Sequence, residues 1–179
     1  MLNIPNLITL TRVFLIPGFI MASLYHKFGL AFIIFTTAAL SDALDGFLAR
    51  KLKQTTKIGV IMDPLADKAL IDSAFFILSY IEKVIPPWLT TIVISRDVLL
   101  LFGGWLLATF NKIEKVKPNI LGKLTALSQF LTLFFTLFHL NFNKIPYSFL
   151  QYTYLTTAAL TIASAISYSL RGIRELNGE

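Results

Sequence analysis

An all-α integral membrane protein, with six transmembrane helices in one bundle, is the fold this sequence predicts, and three observations predict it. Charged residues make up only 15% of the 179 positions and hydrophobic ones 55%, whereas a soluble domain carries about 25% charge. The mean hydropathy is +0.70. The apolar residues gather in six windows of 18 to 24 residues, each long enough to cross roughly 30 Å of hydrocarbon as a helix.

The windows run Ile8–Tyr25, Leu30–Ala49, Ile58–Ile81, Trp88–Phe110, Leu121–Leu140 and Ser148–Leu170. Polar or helix-breaking stretches divide them: His26–Gly29, the basic run Arg50–Lys57, Pro86-Pro87, Lys112–Pro118 and Asn141–Pro146. Pro17-Gly18 is expected to kink the first helix, which membrane helices tolerate. The opening Met1–Asn6 is too short to show periodicity and is expected along the membrane surface. Trp88 and Tyr147 stand at window edges, where aromatic anchors meet the headgroups. No internal repeat interrupts the chain, so residues 1–179 are expected to form a single domain.

Charge sets the orientation. One set of loops and the tail hold Arg50, Lys51, Lys53, Lys57, Lys112, Lys115, Lys117, Lys123, Arg171 and Arg174; the opposite loops hold Lys27, Lys83 and Lys144. Ten against three predicts that both termini and the basic loops face the cytoplasm. The net charge of +6 is thereby explained by orientation and anionic headgroups, so no nucleic-acid partner is expected. The absence of cysteine excludes disulfides and thiolate metal sites.

Against this apolar background stand four aspartates, in the pattern Asp42-x-x-Asp45-Gly46-x-x-Ala49-Arg50, eight residues, then Gly59-x-x-x-Asp63-x-x-x-Asp67. A carboxylate in hydrocarbon costs about 2.5–3.5 kcal/mol on insertion scales, so such groups mark function by default. Asp42 and Asp45 are three apart near the cytoplasmic end of the second helix, and Asp63 and Asp67 four apart near the start of the third; each pair shares a helix face. Oxygen donors without nearby histidine or cysteine suit a hard cation, Mg²⁺ or Mn²⁺. Two ions are expected, because four carboxylates would otherwise repel one another, and such a pair clamps a diphosphate for displacement at phosphorus. Gly46 and Gly59 either admit a ring or phosphate close to the backbone or serve tight helix packing. Arg50 either forks onto phosphate or snorkels to the headgroups.

The full string resembles the signature of the CDP-alcohol phosphatidyltransferase family at all eight of its fixed positions, and the six-helix layout resembles that family over nearly the whole chain. The resemblance implies an enzyme that replaces the CMP of a CDP-linked lipid, here CDP-diacylglycerol, with an alcohol. It implies that Asp42, Asp45, Asp63 and Asp67 are metal ligands and that Asp67 also takes the proton of the acceptor hydroxyl. Gly46, Gly59, Arg50 and Thr56 are similar to positions that hold the CDP portion. Asn6 and Thr9, in the string Asn6-x-x-Thr9-x-x-Arg12, resemble an N-terminal element lying against the same donor. A homodimer in the lipid bilayer is likewise implied by the resemblance.

The acceptor is read from smaller segments. Asn3-Ile4-Pro5-Asn6, Asp63–Lys68 and Leu121-Gly122-Lys123-x-Thr125-Ala126 resemble the phosphatidylglycerophosphate synthases of the family, which use glycerol 3-phosphate, the preferred acceptor here. Ser95-Arg96-Asp97 followed by Phe102-Gly103-Gly104, Lys117-Pro118 and the Ala158–Tyr168 stretch resemble the cardiolipin synthases, whose acceptor is phosphatidylglycerol. Arg96 and Lys123 are candidates for the acceptor's anionic group; Arg96 alternatively neutralises Asp97, and Lys123 alternatively snorkels. His26 and His139 fall at the opposite helix ends, where hydrogen bonding at the interface is expected. A divalent-cation transporter is the rival from another class. It is disfavoured because the carboxylates cluster at one membrane face beside Arg50 and a basic loop.

Overall fold

The computed structural model describes residues 4–52, 68–109 and 119–177. Among them every regular element is helical, and six helices follow in the predicted order: α1 Ile4–Leu24, α2 Phe28–Leu52, α3 from 68 through a π-helical turn at Ile77–Ile81, α4 Pro87–Thr109, α5 Ile120–Phe142 and α6 Tyr147–Asn177. Two described stretches, Pro87–Leu106 and Ile120–Phe142, are long and apolar enough to cross a membrane.

Several helix ends differ from the expected windows for simple reasons. The segment expected along the surface is helical from Ile4, continuous with α1, since Pro5 at the start of a helix lacks only an N–H that would have no partner. The basic run does not stop α2 at Ala49: Arg50, Lys51 and Leu52 are good helix formers, and the helix continues through them. α6 extends seven residues past Leu170 to Asn177, about 46 Å in all, which is longer than the hydrocarbon is thick. The first half of the third window, including Ile58, lies outside the described residues.

Three helices end on a residue in the left-handed region: His26 (φ 55°), Lys83 (φ 56°) and Asn143 (φ 50°). After α1 the Lys27 N–H reaches the Ala22 carbonyl at 2.8 Å and the His26 N–H reaches Ser23 at 2.8 Å. That is a Schellman closure, which satisfies carbonyls the helix itself leaves open. After α5 the Asn143 N–H bonds the His139 carbonyl at 2.7 Å. Pro86 and Pro146 then cap the next helices, their carbonyls accepting from Leu89 and Phe149 at 3.0 Å each.

The chain divides into two compact units. The first comprises Met1–Val84 with Leu133–Ile145. Here α1 and α2 form a tight antiparallel hairpin, with Phe19 on Phe35 (ring centroids 6.0 Å) and small residues Ala22, Ala31 and Ala38 buried between them. Phe32 of α2 meets Phe134, Phe138 and Phe142 of α5 at 5.1–6.3 Å. At the hairpin turn His26 Nδ1 lies 3.2 Å from the carboxylate of Glu82. His139 is half-buried and its Nδ1 has no partner.

The second unit comprises Ile85–Thr132 with Pro146–Glu179. Its interior mixes apolar side chains such as Leu89, Val93, Leu150 and Tyr154 with polar ones: Thr90, Arg96, Asp97, Thr125, Gln129, Thr132, Thr157, Thr161 and Ser164 are all buried. The Thr132 and Thr157 hydroxyls lie 2.8 Å apart, Thr125 reaches the Leu160 carbonyl at 3.0 Å, and Thr157 that of Ser128 at 3.1 Å. Outside, large apolar side chains stand exposed on every helix, Phe14, Ile33, Phe76, Trp105, Leu127 and Ile166 among them. Hydroxyls bonded between helices and large apolar side chains on the outside fit a chain solvated by lipid.

Lys83 is exposed and pays the left-handed strain without a compensating Asn-type side chain. Lys83→Gly should therefore raise stability by about 0.5–1 kcal/mol and Lys83→Val lower it by a similar amount; equilibrium unfolding in detergent measures both.

Candidate active site

The α1–α2 hairpin decides which residues meet at its open end. Gly18 sits opposite Ile34, an added Cβ there lying 3.7 Å from Ile34 Cδ1, and Phe19 sits opposite Phe35, so residues equidistant from the turn at His26 are level. Counting 1.5 Å per residue, Asn6 and Thr9 lie about 26–30 Å from the turn, and Asp42, Asp45 and Gly46 about 23–29 Å on the other strand of the hairpin. The N-terminal element and the aspartate motif, separated by more than thirty residues of sequence, thus share one end of one unit.

Within α2, which is helical throughout this stretch, Asp42, Asp45, Gly46 and Ala49 fall on a stripe about 100° wide, with Arg50 at its edge and one turn further on. Thr56, Gly59, Asp63 and Asp67 lie outside the described residues. Among the described residues no three acidic or histidine side chains gather at one point; the expected four-carboxylate set needs Asp63 and Asp67 to complete it.

The two candidate acceptor cations belong to the second unit and are positioned differently. Arg96 of α4 is only 7% exposed and Asp97 2%. The guanidinium Nη1 lies 2.6 Å from the Asp97 carboxylate, and Nη2 donates to Ser164 Oγ of α6 at 2.9 Å. Its Nε–H is buried and has no hydrogen-bond partner among the described residues. Of the two readings left open by the sequence, neutralisation of Asp97 is therefore visible directly. Lys123 is exposed in the first turn of α5, and its backbone N–H bonds the Asn119 carbonyl at 3.3 Å.

Asn119 is tied to α6 twice. Its N–H donates to Tyr168 Oη at 3.1 Å and its side-chain amide to Ser167 Oγ at 2.9 Å. Ser164, Ser167 and Tyr168 share one face of α6, so this face holds both candidate cations, Arg96 directly and Lys123 through Asn119. None of these three was singled out from the sequence. The available signal was the spacing of Thr157, Thr161, Ser164 and Tyr168 at three and four residues within an apolar window.

Removing one partner of a buried ion pair strands the other charge, at a cost of about 3–5 kcal/mol. Asp97→Ala should destabilise the protein by that order, and Arg96→Met with Asp97→Leu together should recover most of the loss; thermal unfolding of the purified variants in detergent checks it.

The sequence pattern of the CDP-alcohol phosphatidyltransferase family matches residues 2–167, a span containing every residue of the hairpin site. The chain is 32% identical to the CDP-diacylglycerol–glycerol-3-phosphate 3-phosphatidyltransferase of Aquifex aeolicus, over 97% of each protein. Identity to the protein of the same name from Bacillus subtilis is 32%, over 94% of each. It is also 35% identical, over 93% of its own length, to the cardiolipin synthase (CMP-forming) of Rattus norvegicus, of which it spans 60%. With the eight signature positions inside the matched span and full-length relatives above 30% identity, the chain belongs to the CDP-alcohol phosphatidyltransferase family.

Proposed function

We propose that this chain is a phospholipid-synthesising enzyme of the membrane that transfers the phosphatidyl group of CDP-diacylglycerol to glycerol 3-phosphate and releases CMP. The observation that carries the reading is the unbroken motif from Asp42 to Asp67 in a chain that matches, end to end, relatives bearing the name of that reaction. Residues 1–179 act as one catalytic domain with six membrane spans, both termini and the site at the cytoplasmic face; the six helices and the ten-to-three distribution of basic residues support this. The family resemblance supports a homodimer. Membership of a transferase family sets aside the cation transporter.

The donor set fits Mg²⁺ or Mn²⁺: Asp42 and Asp45 are three apart in one uninterrupted helix, and the chain has no cysteine to compete. Asp42, Asp45, Asp63 and Asp67 would hold two such ions. When bound, they neutralise the diphosphate and the charge that develops on the leaving phosphate. Asn6, Thr9, Gly46, Arg50, Thr56 and Gly59 orient the CDP portion. Asp67 accepts the proton of the acceptor hydroxyl as its oxygen attacks the phosphorus bearing diacylglycerol. The new P–O bond forms while the bond to the CMP phosphate breaks, and CMP leaves with the electron pair. General-base help of this kind is worth about 10²–10⁴-fold.

One observation favours a second reading, cardiolipin synthesis from phosphatidylglycerol. Arg96 is neutralised by Asp97, which suits a singly charged phosphodiester acceptor better than a phosphomonoester carrying about two charges. Purified protein given labelled CDP-diacylglycerol and each acceptor in parallel decides between them: CMP release dependent on glycerol 3-phosphate is expected, and release with phosphatidylglycerol alone would transfer the assignment. Asp67→Asn should abolish turnover, by 10²-fold or more on the scale of general-base catalysis, while leaving the thermal unfolding midpoint in place. Chelation by EDTA should abolish activity, and added Mg²⁺ or Mn²⁺ should restore it.

A further inference from the structure

The first turn of α5, which carries Lys123, is tied to another helix. The Lys123 N–H is bonded to the Asn119 carbonyl, and Asn119 in turn hangs from α6 by two hydrogen bonds, to Tyr168 Oη and Ser167 Oγ. The fit around the tyrosine is close. A Cβ placed on Gly122 would stand 2.8 Å from Tyr168 Oη and 3.2 Å from Cε2, so only glycine lets the phenol lie across the first turn of α5. The same α6 face, four residues earlier, fixes the Arg96 guanidinium through Ser164.

We infer that Tyr168 is a positioning residue for the acceptor: by clamping Asn119 over Gly122 it sets where the Lys123 side chain starts and so how well the acceptor's phosphate is held. This rests on the reading of Lys123 as an acceptor-binding cation. The hydroxyl, not the ring, is the working part. Tyr168→Phe keeps the packing against Gly122 and removes the oxygen that takes the Asn119 N–H. A loosened α5 start then lets Lys123 spread over more conformations, and the loss falls on acceptor affinity rather than on the chemical step.

A two-residue cycle tests it, using CDP-diacylglycerol with whichever of glycerol 3-phosphate and phosphatidylglycerol turns over. Lys123→Gln should raise the acceptor KM about ten-fold and Tyr168→Phe about five-fold, the order expected for losing one charged and one neutral hydrogen bond. In both, kcat and the KM for CDP-diacylglycerol should move less than two-fold. The double variant should be no worse than Lys123→Gln alone, because Tyr168 acts through Lys123. Gly122→Ala, which drives the phenol off the helix, should reproduce the Tyr168→Phe effect and lose further sensitivity to it. Effects that multiply in the double variant, or a Tyr168→Phe defect spread evenly over kcat and both KM values, would overturn the inference while leaving Lys123 as an acceptor cation. An unchanged acceptor KM in Lys123→Gln would overturn both.

Discussion

Hydrocarbon solvates neither a charge nor an unpaired polar group, and the arrangement of this protein follows from that constraint. Each charged side chain must leave the apolar layer, pair within it, or be retained because chemistry needs it. The second unit shows pairing: Arg96 and Asp97 are adjacent in sequence, deeply buried, and bonded to each other at 2.6 Å. The same rule governs the hydroxyls. Thr125, Thr132, Thr157 and Thr161 are buried, and each hydroxyl is spent on a carbonyl or another hydroxyl. Meanwhile Phe102, Trp105, Leu155 and Ile166 stand outside, where lipid meets them at no cost.

The hairpin of α1 and α2 shows how the retained charges are placed. A short turn forces the two helices into antiparallel register, and the buried alanines and the Phe19–Phe35 contact keep it from slipping. α2 runs unbroken to Leu52, so the two aspartates and Arg50 stand on one continuous helix with the apolar stretch that precedes them. The glycine between them costs about 1 kcal/mol of helix propensity relative to alanine. That cost is consistent with a face that a ligand must approach closely.

Much of this was legible in the sequence, for identifiable reasons. Apolar runs bounded by proline or glycine are long-range signals that tertiary context rarely overrides, so all six helices occur in the predicted order. The motif was legible because carboxylates are conspicuous where hydrophobic residues are the rule. The ends are less legible: a run of charge such as Arg50–Leu52 resembles a loop in sequence, although arginine and lysine extend helices well. The α6 face of Ser164, Ser167 and Tyr168 escaped notice for a different reason. A serine or threonine in an apolar helix can satisfy itself on the preceding turn, as Thr156 does on Tyr152 at 2.9 Å. Composition alone does not tell such a hydroxyl from one that reaches across to another helix.

In sequence, the adjacent opposite charges of Arg96 and Asp97 are compatible with either a private pair or a shared substrate site. The contacts show that the pair is made and that it is held from a third direction by Ser164. One N–H of each terminal nitrogen is so committed, and the Arg96 charge is opposed by the carboxylate of Asp97. A phosphomonoester, with about two charges near neutrality, would have to be matched by cations elsewhere, and Lys123 is the described residue at the start of α5 that can contribute. A phosphodiester asks for less. Arg96, bonded to Ser164, and the start of α5 that carries Lys123, tied through Asn119 to Ser167 and Tyr168, are thus both linked to one face of α6.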